Sequence, residues 1–182
     1  MGSKAGTEGR GDDSGADRIG RVGWAASLLA ALSLLTGCDR QRIEALEEGI
    51  ATEADVRRQF GPPAAVYVEP DGSTTLEYPR QPEGRQNYMI TIGPDGRMSA
   101  LRQVLKAADF ARVVPGLDRA QVRRLLGRPA ATRPYALRQD EVWDWRYVDG
   151  QENRLYSVTF GADGRVVTSA STLDLRGVVP GE

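Results

Sequence analysis

An internal duplication is the feature that most limits the folds open to this chain of 182 residues. Residues 49–63 match residues 116–129, a segment that is one residue shorter. A second matching pair, residues 88–98 and 156–166, lies at nearly the same separation of about 67 residues. Two correspondences at one spacing predict two tandem copies of a single structural unit.

Each copy predicts a pair of short helices. The second helix of each pair begins at a capping side chain with a polar partner three residues on, Thr52 with Asp55 and Asp118 with Gln121. A glycine and a proline then end the helix. Apolar residues at helical spacing predict the first helix of each pair, namely Ile43, Leu46 and Ile50 in one copy and Phe110, Val113, Val114 and Leu117 in the other.

Turn residues divide the rest of each copy into β-strands. We predict strands at residues 64–69, 73–78, 87–92 and 97–105 in the first copy, and at 130–135, 141–148, 154–160 and 165–172 in the second. Short Asp-Gly turns favour antiparallel hairpins. The predicted fold class is therefore α+β, with two tandem units that each place a helix pair on an antiparallel β-meander. Because a unit of about 65 residues buries only a modest core, we expect the copies to share an interface or join their sheets.

The N-terminal region has the pattern of a targeting sequence. Residues 1–17 are polar, lack apolar periodicity and are expected to be disordered. Arg18 and Arg21 then precede an apolar run at residues 22–35, which is too short to span a hydrocarbon core of about 30 Å. This order predicts a signal peptide.

Leu35-Thr36-Gly37-Cys38 resembles the bacterial lipobox, in which the chain is cut before the cysteine and that cysteine is acylated. The resemblance implies lipidation of Cys38 and a domain that faces the periplasm. The alternative is an ordinary signal peptide or membrane anchor that happens to contain a cysteine. The outer membrane is favoured, and the inner membrane stays open because Asp39 resembles the signal that retains lipoproteins of enteric bacteria there.

We therefore predict four segments along the chain. Residues 1–37 are the disordered N-terminus with the lipoprotein signal peptide, 38–105 the first repeat, 106–173 the second repeat and 174–182 a flexible tail.

The composition excludes several kinds of chemistry. The chain has no histidine and one cysteine, so histidine-based nucleophile pairs, imidazole metal sites, cysteine metal clusters and an internal disulfide are all ruled out. With 24 basic and 25 acidic side chains, the chain has almost no net charge, so it has no overall positive potential that would attract nucleic acid. No phosphate-binding loop or paired-carboxylate constellation is visible. We expect a protein that is not an enzyme and that uses no cofactor, no metal and no nucleic acid.

Three segments together carry a family resemblance. Residues 116–129 read Gly-Leu-Asp-Arg-Ala-Gln-Val-Arg-Arg-Leu-Leu-Gly-Arg-Pro, and are followed by Val-Trp-Asp-Trp-Arg-Tyr at 142–147 and Phe-Gly-Ala-Asp-Gly-Arg-Val at 160–166. This pattern resembles the SmpA/OmlA (BamE-like) family of bacterial envelope lipoproteins, well over about 106–172 and more weakly over 41–105. The tandem arrangement is also similar to the architecture of the β-lactamase inhibitor protein.

The resemblance implies a binding protein. The SmpA/OmlA family includes an accessory subunit of the machinery that folds β-barrel proteins into the outer membrane, and the β-lactamase inhibitor protein binds another protein through a concave sheet. Because that subunit has one such unit and this chain has two, only the lipidated cysteine is carried over to a residue here, Cys38. The resemblance favours a non-catalytic adaptor in outer-membrane β-barrel assembly or envelope integrity, with the assembly complex as partner. The alternative is a periplasmic module that inhibits or chaperones a soluble enzyme.

Four arginines at equivalent places on the two capped helices are candidate contacts: Arg57, Arg58, Arg123 and Arg124. They indicate either a solvated helix face or a contact with anionic phospholipid or an acidic partner subunit. Loop arginines could add to such a contact.

Three aromatic residues, Trp143, Trp145 and Tyr147, alternate along one predicted strand and so point to one face. They indicate either core beneath the helices or an aromatic stripe on an open sheet face that docks a partner.

Overall fold

The computed structural model describes residues 42–175, which fall into two compact units that divide between Ala45 and Leu46. In the first unit, residues 42–44 are helical and a turn follows at Ala45. The second unit holds both repeats. The predicted signal peptide, Cys38 and residues 176–182 of the predicted tail lie outside the described residues. Among the described residues, no helix has the length and apolar character needed to cross a bilayer.

Both repeats consist of a capped helix followed by a four-stranded sheet. The first contains helix α1 (Glu53–Phe60) and strands β1 (Ala65–Val68), β2 (Thr74–Pro79), β3 (Asn87–Ile92) and β4 (Met98–Gln103). The second contains helices α2 (Ala107–Phe110) and α3 (Arg119–Leu126) and strands β5 (Ala131–Tyr135), β6 (Asp140–Asp149), β7 (Glu152–Phe160) and β8 (Val166–Leu173).

The predicted α+β class is confirmed. Each sheet is an antiparallel meander, in the order β1-β2-β3-β4 or β5-β6-β7-β8. The strands agree with the predicted ones to within two residues at each end. Both meanders also shift register at the same place, between Thr91 and Ile92 in the first and between Thr159 and Phe160 in the second. The two sheets remain separate.

The capping interactions are those that the sequence predicts. The Thr52 hydroxyl accepts a hydrogen bond from the backbone N–H of Asp55, and the Asp55 carboxylate accepts one from the Thr52 N–H at 3.0 Å. Asp118 and Gln121 form the same reciprocal pair at the start of α3. These bonds satisfy backbone donors that the first helical turn otherwise leaves unpaired.

The predicted first helix of each pair is wrong in extent. In the first repeat, the described helix ends at residue 44, and Gly49 has a φ of 79°, which interrupts any helix before Ile50. In the second, α2 makes a single turn and ends at Phe110. Pro115 disfavours helical backbone at Val114, which is left exposed. Apolar spacing alone therefore predicts both helices to be longer than they are.

Helix α1 covers one face of the first sheet. The Phe60 ring lies 5.2 Å from the Tyr78 ring and 5.7 Å from the Tyr88 ring, centroid to centroid. Tyr78 and Tyr88 are directly opposed on β2 and β3, so both belong to that face. Val56 is the second buried residue of α1. These contacts form the core of the first repeat.

Helices α2 and α3 cover one face of the second sheet. The Phe110 ring stacks on Tyr156 at 4.1 Å and meets the edge of Tyr147 at 4.7 Å. Val122 and Leu126 of α3 are fully buried in the same cluster. The second repeat therefore builds its core in the same way as the first.

Candidate functional site

The two repeats meet at a polar interface centred on Glu77. This residue lies on β2 between Leu76 and Tyr78, and all three are buried. Because side chains alternate along a strand, Glu77 points away from the face that α1 covers. Its carboxylate is thus buried on the opposite face of the first sheet, where it meets the second repeat.

Glu77 accepts hydrogen bonds from three groups. The Arg123 guanidinium on α3 donates through Nε at 3.2 Å, the backbone N–H of Arg128 donates at 2.8 Å, and the Tyr67 hydroxyl donates at 2.6 Å. Burial and the bond to Glu77 raise the pKa of Tyr67 to about 12. A buried carboxylate requires hydrogen-bond donors around it. The second repeat supplies two of the three donors, so it stabilises the burial of Glu77.

Asn87 forms a second inter-repeat anchor at the end of α3. Its side-chain Nδ2 donates to the carbonyl oxygens of Leu126, at 2.7 Å, and Arg128, at 3.0 Å. Gly127 lies between them with a φ of 73°, and a Cβ there would stand 3.0 Å from Nδ2 of Asn87. The absence of a side chain at residue 127 therefore allows Asn87 to reach the helix end.

Gln81 completes the interface at the edge of β6. Its Nε2 donates to the Arg146 carbonyl at 2.7 Å, and its Oε1 accepts from the Arg146 N–H at 3.3 Å. The pairing of β5 with β6 stops at Asp144, so one amide side chain takes over the role of a neighbouring strand there. The prediction that the repeats share an interface is confirmed by these bonds.

Arg123 and Arg124 both belong to this interface. Arg124 Nη2 lies 2.5 Å from Glu69 Oε1, and its guanidinium lies 4.9 Å from the centre of the Tyr67 ring. Both side chains are partly exposed, but each bonds to a carboxylate of the first repeat, which a simple solvated helix face does not provide. Their partners lie 46 to 55 positions earlier in the chain, a separation that no local pattern reports. A contact with lipid or another subunit stays a prediction.

The equivalent arginines of the first repeat lie on a solvated helix face. Arg57 pairs with Glu53 and Arg58 pairs with Asp55, each at 2.7 Å within α1. Hydrogen bonds from Thr52, followed by the bond from Arg58, lower the pKa of Asp55 from 3.8 to about 2. One Arg-Arg pair therefore bonds within its own helix, while its duplicate bonds to the other repeat.

The aromatic residues of β6 belong to the core. Trp145 is fully buried and its indole N–H donates to the Gly127 carbonyl at 2.9 Å. Tyr147 is buried beside Phe110. Trp143 is half-buried against Phe160, with ring centroids 4.9 Å apart. The alternative of an exposed docking stripe is wrong, because α2 and α3 cover this face.

The hairpin between β5 and β6 ends in an exposed apolar tip, residues 134–138. Leu137 is fully exposed, and Tyr135 keeps 39% of its surface in solvent. The Arg138 guanidinium lies 4.9 Å from the centre of the Tyr135 ring. These residues line a cleft of about 410 Å³. The signal in the sequence is the run Pro-Tyr-Ala-Leu at 134–137, which crosses from the end of a predicted strand into the following loop, and none of the predictions above includes it.

A second cleft of about 440 Å³ lies beside the inter-repeat interface. Ala64, Arg123, Arg128, Trp143 and the start of β5 line it. Within residues 42–175 there is no cluster of three or more acidic, histidine or cysteine side chains placed to hold a metal ion. The described surface therefore has two places where a partner molecule could make contact, the hairpin tip and this cleft.

Comparison with known proteins gives fold-level likeness only. No family model matches the chain, and no curated protein matches it. Among solved structures, it is similar to a candidate osmotically inducible lipoprotein, OsmE, at 17% identity and a TM-score of 0.34, covering 38% of this chain and 75% of that one.

Two further solved structures are similar over longer stretches. One is a DUF4309 family protein (YjgB) from Bacillus subtilis, at 17% identity and a TM-score of 0.28, covering 71% of this chain and 82% of that one. The other is a candidate β-lactamase inhibitor protein from Streptococcus mutans, at 10% identity and a TM-score of 0.30, covering 76% and 97%. At these TM-scores the likeness does not assign the chain to any of the three groups.

Proposed function

We propose that the chain is an envelope lipoprotein, anchored through Cys38 and facing the periplasm, that acts as a non-catalytic adaptor in outer-membrane β-barrel assembly or envelope integrity. The sequence support is the signal peptide with its lipobox-like end and the resemblance of the repeats to the SmpA/OmlA family. The structural support is a surface suited to binding.

The observation that carries the binding role is the hairpin tip. Leu137 has no contact that the fold needs, since its side chain is fully exposed, and Tyr135 beside it is exposed in part. Tyrosine and arginine side chains are typical of contact surfaces, and the exposed leucine beside them adds apolar area. The candidate arginines Arg123 and Arg124 join the two repeats instead, and the buried aromatic residues of β6 belong to the core of the second repeat.

A lipid anchor makes a small contact surface sufficient. Acyl chains confine the domain to the membrane, and confinement raises the effective concentration of a partner that lies in the same membrane. A tip of five residues can then contribute a useful interaction although it is weak in free solution. In the same setting, Arg57 and Arg58 on the exposed face of α1 are the candidate contacts with anionic phospholipid.

Affinity purification of the membrane-extracted lipoprotein, followed by mass spectrometry, tests the proposal. We expect subunits of the β-barrel assembly complex to co-purify with the wild-type chain and to be lost with Leu137→Ser. Val148→Ser is the matched control, because Val148 is also an exposed apolar residue of the second sheet. Cys38→Ser supplies the untethered form. Absence of assembly subunits from the wild-type sample contradicts the proposal.

The second candidate function is inhibition or chaperoning of a soluble periplasmic enzyme. A protruding apolar hairpin favours it, since a narrow loop can insert into a concave site. This function predicts recovery of one soluble enzyme, equally with the wild-type and Cys38→Ser chains. Loss of that enzyme with Leu137→Ser would place the contact at the tip.

A further inference from the structure

Strand β8 is an edge strand without the features that usually protect one. Its eight residues include no charged side chain and no proline. By contrast, β1 has four residues, β4 contains Arg102, and β5 contains both Arg133 and Pro134. In addition, the Glu48 carboxylate accepts a hydrogen bond from the backbone N–H of Leu101 at 3.1 Å, which occupies part of the β4 edge.

Only the beginning of the outer edge of β8 is paired within the described chain. Val166 exchanges backbone hydrogen bonds with Gly116, at 2.9 Å, and with Leu117, at 2.8 Å. Between residues 168 and 173, no other described backbone group bonds to this edge. The Asp174 N–H donates inward to Asn153, so the odd-numbered residues Ser169, Ser171 and Leu173 direct their backbone groups outward.

Exposed apolar side chains flank this free segment. Val167, Leu173 and Leu175 keep 58%, 53% and 69% of their surface in solvent. Their spacing along an extended chain places Leu173 and Leu175 on one face of the strand, with Val167 at the register shift near its start. Within the described chain, the edge therefore presents the unpaired backbone groups of Ser169, Ser171 and Leu173, with apolar side chains near both ends.

We propose that β8 pairs antiparallel with β8 of a second copy of this chain, about a two-fold axis at Ser171. This register places Val167 opposite Leu175 of the second copy and Ser169 opposite its Leu173. Each exposed apolar side chain is covered, and Ser171 meets its own equivalent. The result is one continuous eight-stranded sheet across two copies.

The chemistry of the strand favours a second copy over an unrelated strand. A two-fold contact requires a surface that is complementary to itself. Small, uncharged side chains meet this condition in an antiparallel pair, because no like charges come opposite one another. The inference does not depend on the lipid anchor or on the proposed adaptor function.

Sedimentation velocity of the full chain in mild detergent tests the pairing. We expect a dimer of the wild-type chain, and a monomer when Val167→Lys and Leu173→Lys are combined. The matched control combines Val66→Lys and Val68→Lys, which add the same charges to exposed apolar positions of β1. The control should remain dimeric. A monomeric wild-type chain, or a dimer that survives the β8 change, overturns the proposal.

Disulfide cross-linking gives a second test that needs no disruptive change. In a Cys38→Ser background, Ser171→Cys should form a covalent dimer on mild oxidation, since directly opposed residues of paired strands have Cα atoms about 5.5 Å apart. Ser99→Cys, on the exposed edge strand β4, is the control and should stay monomeric. Equal cross-linking at both positions, or none at Ser171, counts against the two-fold register.

Discussion

Arg123 of the second repeat donates to the carboxylate of Glu77 in the first repeat, with Nε and Oε2 3.2 Å apart, and the Glu77 side chain is fully buried. The corresponding arginine of the first repeat, Arg57, pairs instead with Glu53 of its own helix. The same residue at the same helix position thus has two roles. In one copy it pairs within its own helix, and in the other it joins the two repeats.

We expect Arg123→Ala to lower the free energy of unfolding by about 2 to 3 kcal/mol, because it removes the cation from a buried carboxylate. The value lies toward the low end for a buried pair, since Arg123 itself keeps 39% of its side chain in solvent. Urea unfolding measures it. Arg57→Ala is the control and should cost about 0.5 kcal/mol or less. Equal losses in the two variants would show that the inter-repeat pair adds nothing.

Gly127→Ala should destabilise the fold more than Gly61→Ala does. Both glycines follow a capped helix with positive φ, 73° and 81°, so the backbone strain from alanine is similar. At Gly127 the new Cβ also meets Asn87 at 3.0 Å, whereas nothing lies within 4 Å at Gly61. We expect an additional loss of about 1 kcal/mol or more in urea unfolding. A larger loss at Gly61 would contradict the close approach of Asn87.

Acid stability should depend on the capping box of α1. The pKa of Asp55 is lowered from 3.8 to about 2, so its charged form is favoured in the folded state. Its contribution is present above the ordinary value and is lost as the pH falls from 3.8 toward 2. Thr52→Ala removes the main donor and should flatten the pH dependence of unfolding in this window. Gln121→Ala, in the corresponding box of α3, removes a neutral amide that accepts from the Asp118 N–H, and should leave the slope unchanged.

Alkaline stability should depend on Tyr67. Its pKa is raised from 10.0 to about 12, chiefly by burial, so the neutral phenol is favoured in the folded state. Its contribution is complete below the ordinary value and is lost as the pH rises from 10.0 toward about 12. Tyr67→Phe should reduce the slope of stability against pH in that range, measured by urea unfolding. Tyr135→Phe removes a hydroxyl from the exposed hairpin tip and serves as the control. An unchanged slope with Tyr67→Phe would contradict the bond to Glu77.

Leu137→Ser should leave stability within about 0.5 kcal/mol of the wild-type chain, because the side chain is fully exposed. Thermal unfolding measures this. The result matters for the binding experiment, since a loss of partner can be attributed to the tip only if the fold is intact. A large loss of stability would show that Leu137 packs in the folded chain.

Much of the fold could be predicted from local pattern. The capped helices begin at Thr52 and Asp118 because each has a polar partner three residues on, and the four-residue turns at 93–96 and 161–164 end strands where glycine and aspartate occur. The first helix of each pair could not be predicted in this way. Apolar spacing at Val113 and Val114 indicated a helix, and the backbone preference imposed by Pro115 prevented it.

The sequence by itself determined the duplication, the α+β class, the capping boxes and the strands, because each depends on residues that are close together in the chain. Only the tertiary structure decided that Arg123 contacts Glu77 and that Glu77 is buried at this contact. It also decided which side of β6 the helices cover. In alternation with Leu76 and Tyr78, Glu77 has the pattern of a solvent-facing residue. Its true environment is set by α3, which reaches it from 46 positions away, and a contact at that separation leaves no trace in local periodicity.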